Sequence, residues 1–313
     1  MMYFALTIFF IFAVVIGSFL NVVIYRYNTG LSISKGRSKC FSCNKTLEIK
    51  DLIPVFSYFF YGRKCRRCKT PISFQYPAVE LFTGFLLTAI FYSYFFATKD
   101  NSFTGIHMFS HTVVVETLAA HPWIQFLFLI LDLTIASILI AIGAYDMKHK
   151  IIPDGLVYLA SGIAFVKMLT ALLVFGTSGA WDFILSISAG ILTALPFALL
   201  WLISGGRWMG LGDAKLALVI GWALGIGYGF TAIMYSFWIG CIFALSIILI
   251  RELIEAFSDK HNALQVRFFN SKMTRKLITY FPPLKLKSEL PFGPYMIIGM
   301  YVIYFSAKTL FKF

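Results

Sequence analysis

Apolar positions in this chain run in unbroken stretches, not in the spaced patterns of half-buried strands or surface helices. Eight stretches stand out, at about 2–24, 78–97, 123–145, 154–175, 182–203, 213–227, 229–250 and 292–311. A bilayer core about 30 Å thick takes roughly 20 apolar residues in a helix, so these stretches predict transmembrane helices. The sixth is the weakest, being short and rich in glycine. The pattern predicts an all-α polytopic membrane protein of about eight transmembrane helices. Composition agrees: 59% of residues are hydrophobic and only 13% charged, against roughly 25% charged in a soluble domain. The start of the chain lacks the charged lead and small-residue cleavage site of a removable signal, so the first stretch is expected to stay as an anchor.

The net charge of +13 raises nucleic acid as a partner, but its distribution points elsewhere. With the first helix entering from outside, segments 25–77, 146–153, 204–212 and 251–291 lie on the inner side. Together with Lys215 at the edge of its span, they hold 23 of the 27 lysines and arginines. Lys99, Lys308 and Lys312 fall outside, and Lys167 lies within a span. This is the positive-inside asymmetry. Both termini are therefore expected outside, the basic loops are expected to face cytoplasm and anionic membrane lipid, and no nucleic-acid partner is expected. The external loop 98–122 carries His107, His111 and His121. Only Glu116 supplements these histidines, and helical periodicity is lacking, so a solvated loop is preferred to a metal site. The segment 251–291 reads as a helical extension ending at Pro282-Pro283.

The basic segment 25–77 contains Cys40-x-x-Cys43 and Cys65-x-x-Cys68, separated by 21 residues. Two knuckles of this kind bring four thiolates to the corners of a tetrahedron, which suits Zn²⁺. Lys39, Lys45, Lys64, Arg66, Arg67 and Lys69 favour the thiolate form. Two disulfides are the other reading, disfavoured in a reducing cytosol. Four cysteines leave no open coordination position, so the expected metal is structural. Cys241, inside an apolar stretch, reads as a packing residue.

Two acids sit at the edges of apolar stretches. Asp146 closes the third as it reaches the cytoplasm, and Asp213 opens the sixth within Gly210-Leu211-Gly212-Asp213. Charge asymmetry thus puts both at the same bilayer face, where an acid is a functional candidate. The glycines at 210 and 212 would let another helix or a peptide substrate come close. Two neighbouring carboxylates cannot both ionise, so one keeps a proton while the other acts as base. Such a pair can deprotonate water for attack on a peptide carbonyl and protonate the amide, titrating as one coupled unit. Taken singly, Asp146 also reads as a helix-end loop acid and Asp213 as an N-terminal capping acid. Asp154, after Ile151-Ile152-Pro153, reads as helix-start capping.

Together these motifs resemble the bacterial prepilin peptidases, the bifunctional leader peptidase/N-methyltransferases of type IV pilus and type II secretion systems. Gly17-Ser18-Phe19-Leu20-Asn21-Val22-Val23-Ile24-Tyr25-Arg26 is similar to the family's N-terminal signature. The cysteine pairs with Pro71-Ile72-Ser73 and Tyr76-Pro77-Ala78-Val79-Glu80 resemble its zinc module. Asp146 through Asp154, Gly210 to Asp213, and Pro291-Phe292-Gly293-Pro294 resemble its later motifs. The resemblance implies an intramembrane aspartyl protease of the GxGD type in the bacterial inner membrane, with Asp146 and Asp213 as its dyad. It implies prepilin and pseudopilin substrates, cut after the glycine that precedes their apolar helix. It further implies methylation of the new N-terminus from S-adenosylmethionine, with Glu80 and the cysteine loop as candidates. No Rossmann-type glycine fingerprint marks where that donor binds.

The implied organisation is a first helix at 1–24, a zinc module at 25–77, two helices with the external loop at 78–145, and a protease core at 146–313. Two other readings remain: a peptidase without methylation, and an ion-coupled transporter or assembly scaffold. Within the membrane, Asp132 and Lys167 lie 14 and 13 residues outward from Asp146 and Asp154. At about 1.5 Å per residue both reach roughly 20 Å depth, which predicts a structural ion pair between neighbouring antiparallel helices. Separate snorkelling is the alternative.

Overall fold

The computed structural model describes residues 1–96, 121–176, 179–260 and 291–306. Its helices are α1 (Met2–Arg26), the short α2 (Phe56–Phe60), α3 (Gln75–Phe95), α4 (Pro122–His149) and α5 (Asp154–Phe175). They continue with α6 (Ala180–Ser204), α7 (Leu211–Leu224), α8 (Ile226–Lys260) and α9 (Gly293–Ser306). Among the described residues there is no extended strand, only two isolated bridges inside the cysteine module. In lipid every backbone N–H and C=O must be satisfied internally, and the helix achieves this within one segment.

Among the described residues, six helices are long and apolar enough to cross a membrane: α1, α3, α4, α5, α6 and the Ile226–Ile250 part of α8. The expected sixth span is the exception. Helix α7 has 14 residues, about 21 Å at 1.5 Å per residue, which is short of a roughly 30 Å core. Gly225, at φ 82°, breaks it before α8 begins. Helix α9 also has 14 residues. Both are largely buried against longer helices, and α7, which ends at Gly225, has its length set by those neighbours and not by lipid thickness.

Helix α4 is the hub. It packs against α1, α3, α5 and α9, while α6, α7 and α8 stack behind α5 and α9. The α6–α7 contact is nearly backbone to backbone: a Cβ on Gly221 would lie 2.0 Å from Thr193 Oγ1 and 2.6 Å from the Ala189 carbonyl oxygen. Small residues let membrane helices gain van der Waals contact where lipid offers no hydrophobic advantage. Thr193 Oγ1 then donates to the Ala217 carbonyl across the interface at 3.0 Å. Leu87, Ile90, Phe128, Ile135, Leu139, Ile142, Leu216 and Ile220 fill the interior. Phe12, Phe85, Leu173, Ile203 and Trp238 face outward. Cys241 is exposed too, so it sits on the outer surface of α8 and does not pack in the core as expected.

The interior ion pair is present. Lys167 on α5 bridges to Asp132 Oδ1 on α4, with both side chains almost fully buried. Tyr94 on α3 and Tyr304 on α9 donate their hydroxyls to Asp132 Oδ2 at 2.6 and 3.1 Å. Four helices therefore converge on one carboxylate, and the two tyrosines carry no sequence signal that singles them out. His121 is the exposed residue that precedes α4, whose first position is Pro122. His107, His111, Glu116, Lys99, Lys308, Lys312 and the Pro282-Pro283 break lie outside the described residues.

Candidate active site

Asp146 lies in the last turn of α4 and is 4% exposed. The turn closes on Lys150, which takes the left-handed conformation at φ 55° and donates its N–H to the Asp146 carbonyl at 2.7 Å. The Asp146 carboxylate points the other way, and its Oδ2 accepts the Gly293 N–H at the start of α9 at 3.2 Å. Asp213 lies in the first turn of α7, capped at Gly210, and is 9% exposed. The two carboxylates lie close enough for the Asp146 charge to act directly on Asp213.

Ile152, in the link between α4 and α5, forms the floor between them. A Cβ on Gly212 would sit 2.8 Å from Ile152 Cβ, and a Cβ on Gly293 would sit 3.5 Å from Ile152 Cδ1. Gly212 is therefore approached closely by this chain's own link. Gly210 differs: the nearest atom to its would-be Cβ is Asp213 Oδ2 at 3.7 Å. Of the two glycines, Gly210 is the one whose missing side chain leaves room beside the acid. Asp154 opens α5 just after Pro153 at the N-cap position, so its charge lies in the first turn where the helix N-terminus favours an acid. It also pairs with Lys215 at 2.7 Å, tying the start of α5 to α7 two residues beyond Asp213.

The N-terminal part of the chain reaches the same place. Gln75 Nε2 donates to the Ala144 carbonyl at 3.0 Å, two residues before Asp146. Tyr27 meets Tyr145 edge to face at 5.6 Å and accepts the Gly155 N–H at 3.0 Å. Lys148 Nζ lies 3.7 Å from the centre of the Tyr25 ring. None of these contacts was readable from spacing, because each joins elements far apart in sequence. Glu80, five residues into α3, is buried, and its Oε2 accepts the Val55 N–H at 2.7 Å. Ser18 and Asn21 of α1 flank its carboxylate. Asn21 donates to the Tyr76 carbonyl at 3.1 Å, yet its buried Oδ1 has no hydrogen-bond partner.

The four cysteines converge. Their sulfur atoms all lie within 4.8 Å of one another, with Cys40 and Cys68 at 3.7 Å. Sulfurs around a tetrahedral ion at 2.3 Å would stand about 3.8 Å apart, so this donor set fits a metal ion such as Zn²⁺. The two knuckles share one construction. Cys40 donates its N–H to Lys45, and Cys65 donates to Thr70. Asn44 and Lys69, each four residues past the first cysteine, take positive φ and donate back to Cys40 and Cys65. The Thr70 hydroxyl beside Cys68 brings that thiol down to about 6, toward the thiolate that metals require. Arg66 and Arg67 are not there only to offset thiolate charge. They pair with Glu48 at 2.5 and 2.8 Å, and Arg66 also reaches Asp51 at 3.5 Å, joining the second knuckle to the segment between.

A multi-helix membrane protein with two buried aspartates meeting at helix ends, beside a four-cysteine module, is the class this architecture defines. Residues 11–94 match the bacterial peptidase A24 N-terminal domain, and residues 133–245 match the type IV leader peptidase family. The chain belongs to the type IV leader peptidase family. It is 31% identical over 245 residues to a prepilin leader peptidase/N-methyltransferase of Bacillus subtilis (strain 168), covering 78% of this chain and 84% of that relative. A protein of the same description from Aeromonas salmonicida (strain A449) is 27% identical over 283 residues, covering 80% and 83%. A third, from Myxococcus xanthus (strain DK1622), is 44% identical over 80 residues, covering 26% and 24%. No solved structure matches the chain.

Proposed function

We propose that this protein cleaves the leader peptides of type IV prepilins and pseudopilins after a glycine and then N-methylates the new N-terminal residue. The observation that carries the reading is a pair of buried aspartates, Asp146 ending α4 and Asp213 opening α7, brought to one place around Ile152 between Gly212 and Gly293, inside a family of leader peptidases. One carboxylate takes a proton from water as the oxygen attacks the scissile carbonyl. The partner, protonated, gives its proton to the departing amide nitrogen. A leader substrate is a short basic segment followed by an apolar helix, so its scissile bond lies at the cytoplasmic face of the inner membrane. The positive-inside bias supports the same depth for the two aspartates, with both termini outside. Glycine at the cleavage point lowers the cost of unwinding the substrate there.

In this reading the division of the chain is functional. The helix at 1–24 and the module at 25–77 form a docking unit, the helices of 78–145 join it to the rest, and 146–313 is the protease core. Cys40, Cys43, Cys65 and Cys68 would hold Zn²⁺ as a structural ion that fixes the loop. S-adenosylmethionine, when bound, supplies an electrophilic methyl group. The α1–α3 contact would offer such a cationic ligand two groups, the buried Glu80 carboxylate and the unpartnered Asn21 Oδ1. Glu80 is the group placed to take a proton from the N-terminal amine. Gln75 touches the segment before Asp146, and Glu80 lies five residues further along α3, about 7.5 Å. A cleaved N-terminus therefore has a short path between the two sites.

Asp146→Asn and Asp213→Asn, each assayed for prepilin cleavage in membranes, test the dyad. Each is expected to abolish cleavage while the protein stays folded, and parental cutting by either overturns the assignment. Mass spectrometry of the mature pilin N-terminus tests methylation, which adds one methyl group.

A further inference from the structure

The first turn of α9 comes closer to Asp146 than any side chain would allow. A Cβ on Gly293 would lie 2.7 Å from Asp146 Oδ2 and 3.5 Å from its carboxylate carbon. Carbon–oxygen contacts below about 3 Å are repulsive, since optimal non-bonded separations run about 3.5–4.0 Å. The missing side chain is thus what allows the Gly293 N–H to reach Oδ2 at 3.2 Å. Gly293 is absent from the residues with positive φ, so its backbone does not itself demand glycine. What demands glycine is the carboxylate.

The surroundings hold this arrangement in place. Phe292 packs on Phe237 and Phe197, at ring separations of 4.8 and 6.4 Å. Pro294 follows, with a fixed φ and no N–H of its own to offer. One turn back along α4, a Cβ on Gly143 would meet Ile297 Cδ1 at 3.0 Å, so α4 and α9 remain in close contact on this face.

We propose that Gly293 is a positioning residue for peptide cleavage. Its N–H anchors Asp146 Oδ2, leaving Oδ1 for water and for the proton shared with Asp213. The last helix therefore completes a site whose acids come from α4 and α7. This inference rests on the proposed dyad and adds a third element to it.

Gly293→Ala is the test, assayed with a prepilin substrate in proteoliposomes. The added methyl forces the carboxylate to move, and misplacement of order 1 Å costs about 10²-fold. The expected result is a fall in kcat of roughly 10- to 100-fold, with KM within about twofold and methylation of a pre-cleaved pilin unchanged. Gly143→Ala is the comparison, because it crowds only the flexible end of Ile297 in the same interface. It is expected to keep the parental kcat.

Asp146→Asn, run alongside, separates the two ideas. If Asp146→Asn still cleaves, the dyad reading fails; if it is inactive but Gly293→Ala cleaves at the parental kcat, this inference alone fails. Equal losses in Gly293→Ala and Gly143→Ala also overturn it, because the effect would then be general packing. A thermal cycle supplies a readout that does not depend on activity. Gly293→Ala is expected to lower the unfolding midpoint in the parental protein but not in an Asp146→Ala background. Should Gly293→Ala fail to fold, recovery of folding in the double variant supports the proposal and continued failure overturns it.

Discussion

Lys167→Met removes one charge from the interior cluster while keeping a long apolar side chain. In the parental protein the Lys167 and Asp132 side chains are 4% and 6% exposed, so both charges are shielded from bulk solvent in the folded state. Around them lie Ile90, Ile135, Ala223 and Met300, with Tyr301 and Tyr304. After substitution Asp132 keeps two tyrosine donors, at 2.6 and 3.1 Å, but loses its countercharge. Breaking a buried pair on one side costs about 3–5 kcal/mol, and protonation of Asp132 limits the loss. Asp132→Leu removes the countercharge of Lys167 and also takes a charged acceptor from both tyrosines, hydrogen bonds of a kind worth about 1.5–3 kcal/mol each.

The double variant Asp132→Leu/Lys167→Met strands no charge. Its cost should be that of the tyrosine hydroxyls alone, well below the sum of the singles. Equilibrium unfolding in detergent, read as a double-mutant cycle, should give a coupling of about 2 kcal/mol or more. Additive singles, or singles within about 0.5 kcal/mol of the parent, would refute the account of the cluster as a brace. The pair lies 14 residues from Asp146, about 21 Å along α4. The folded fraction of each variant should therefore cleave at the parental kcat.

Two other outcomes follow from the cysteine module and from the start of α5. Cys40→Ser, or prolonged chelation, should release the bound metal and expose segment 25–77 to protease, since closing four ligands is folding energy for a small module; full zinc content in a well-folded variant would contradict this. Asp154→Asn should change unfolding stability by less than about 1 kcal/mol, because the Asp154 side chain is 62% exposed and such pairs are worth little; a larger loss by the same unfolding assay would assign that pair a role in holding α5 on α7.

Properties that accumulate along a single stretch were legible in the sequence. Apolar run length predicts helices in lipid because the bilayer imposes one length and one way to satisfy the backbone. It identified the six long spans, and Cys-x-x-Cys spacing identified a cluster that each knuckle builds from its own turn. The Asp132–Lys167 pair was legible for a similar reason, since counting rise along two adjacent helices fixes relative depth.

Length alone misjudged α7, because a helix covered by α5, α6 and α8 is freed from the requirement to span. Capping chemistry accounts for Asp154 at the start of α5 but not for its partner Lys215, which comes from another helix. The sequence by itself determined that this is a helical membrane protein with a metal-competent module and two acids at span edges. Only the tertiary structure decided that Ile152 occupies the space beside Gly212, that Tyr94 and Tyr304 join the interior pair, and that Gly293 reaches Asp146. Those contacts join elements up to 172 residues apart. They are set by which helix faces meet, and no periodicity within one segment encodes that.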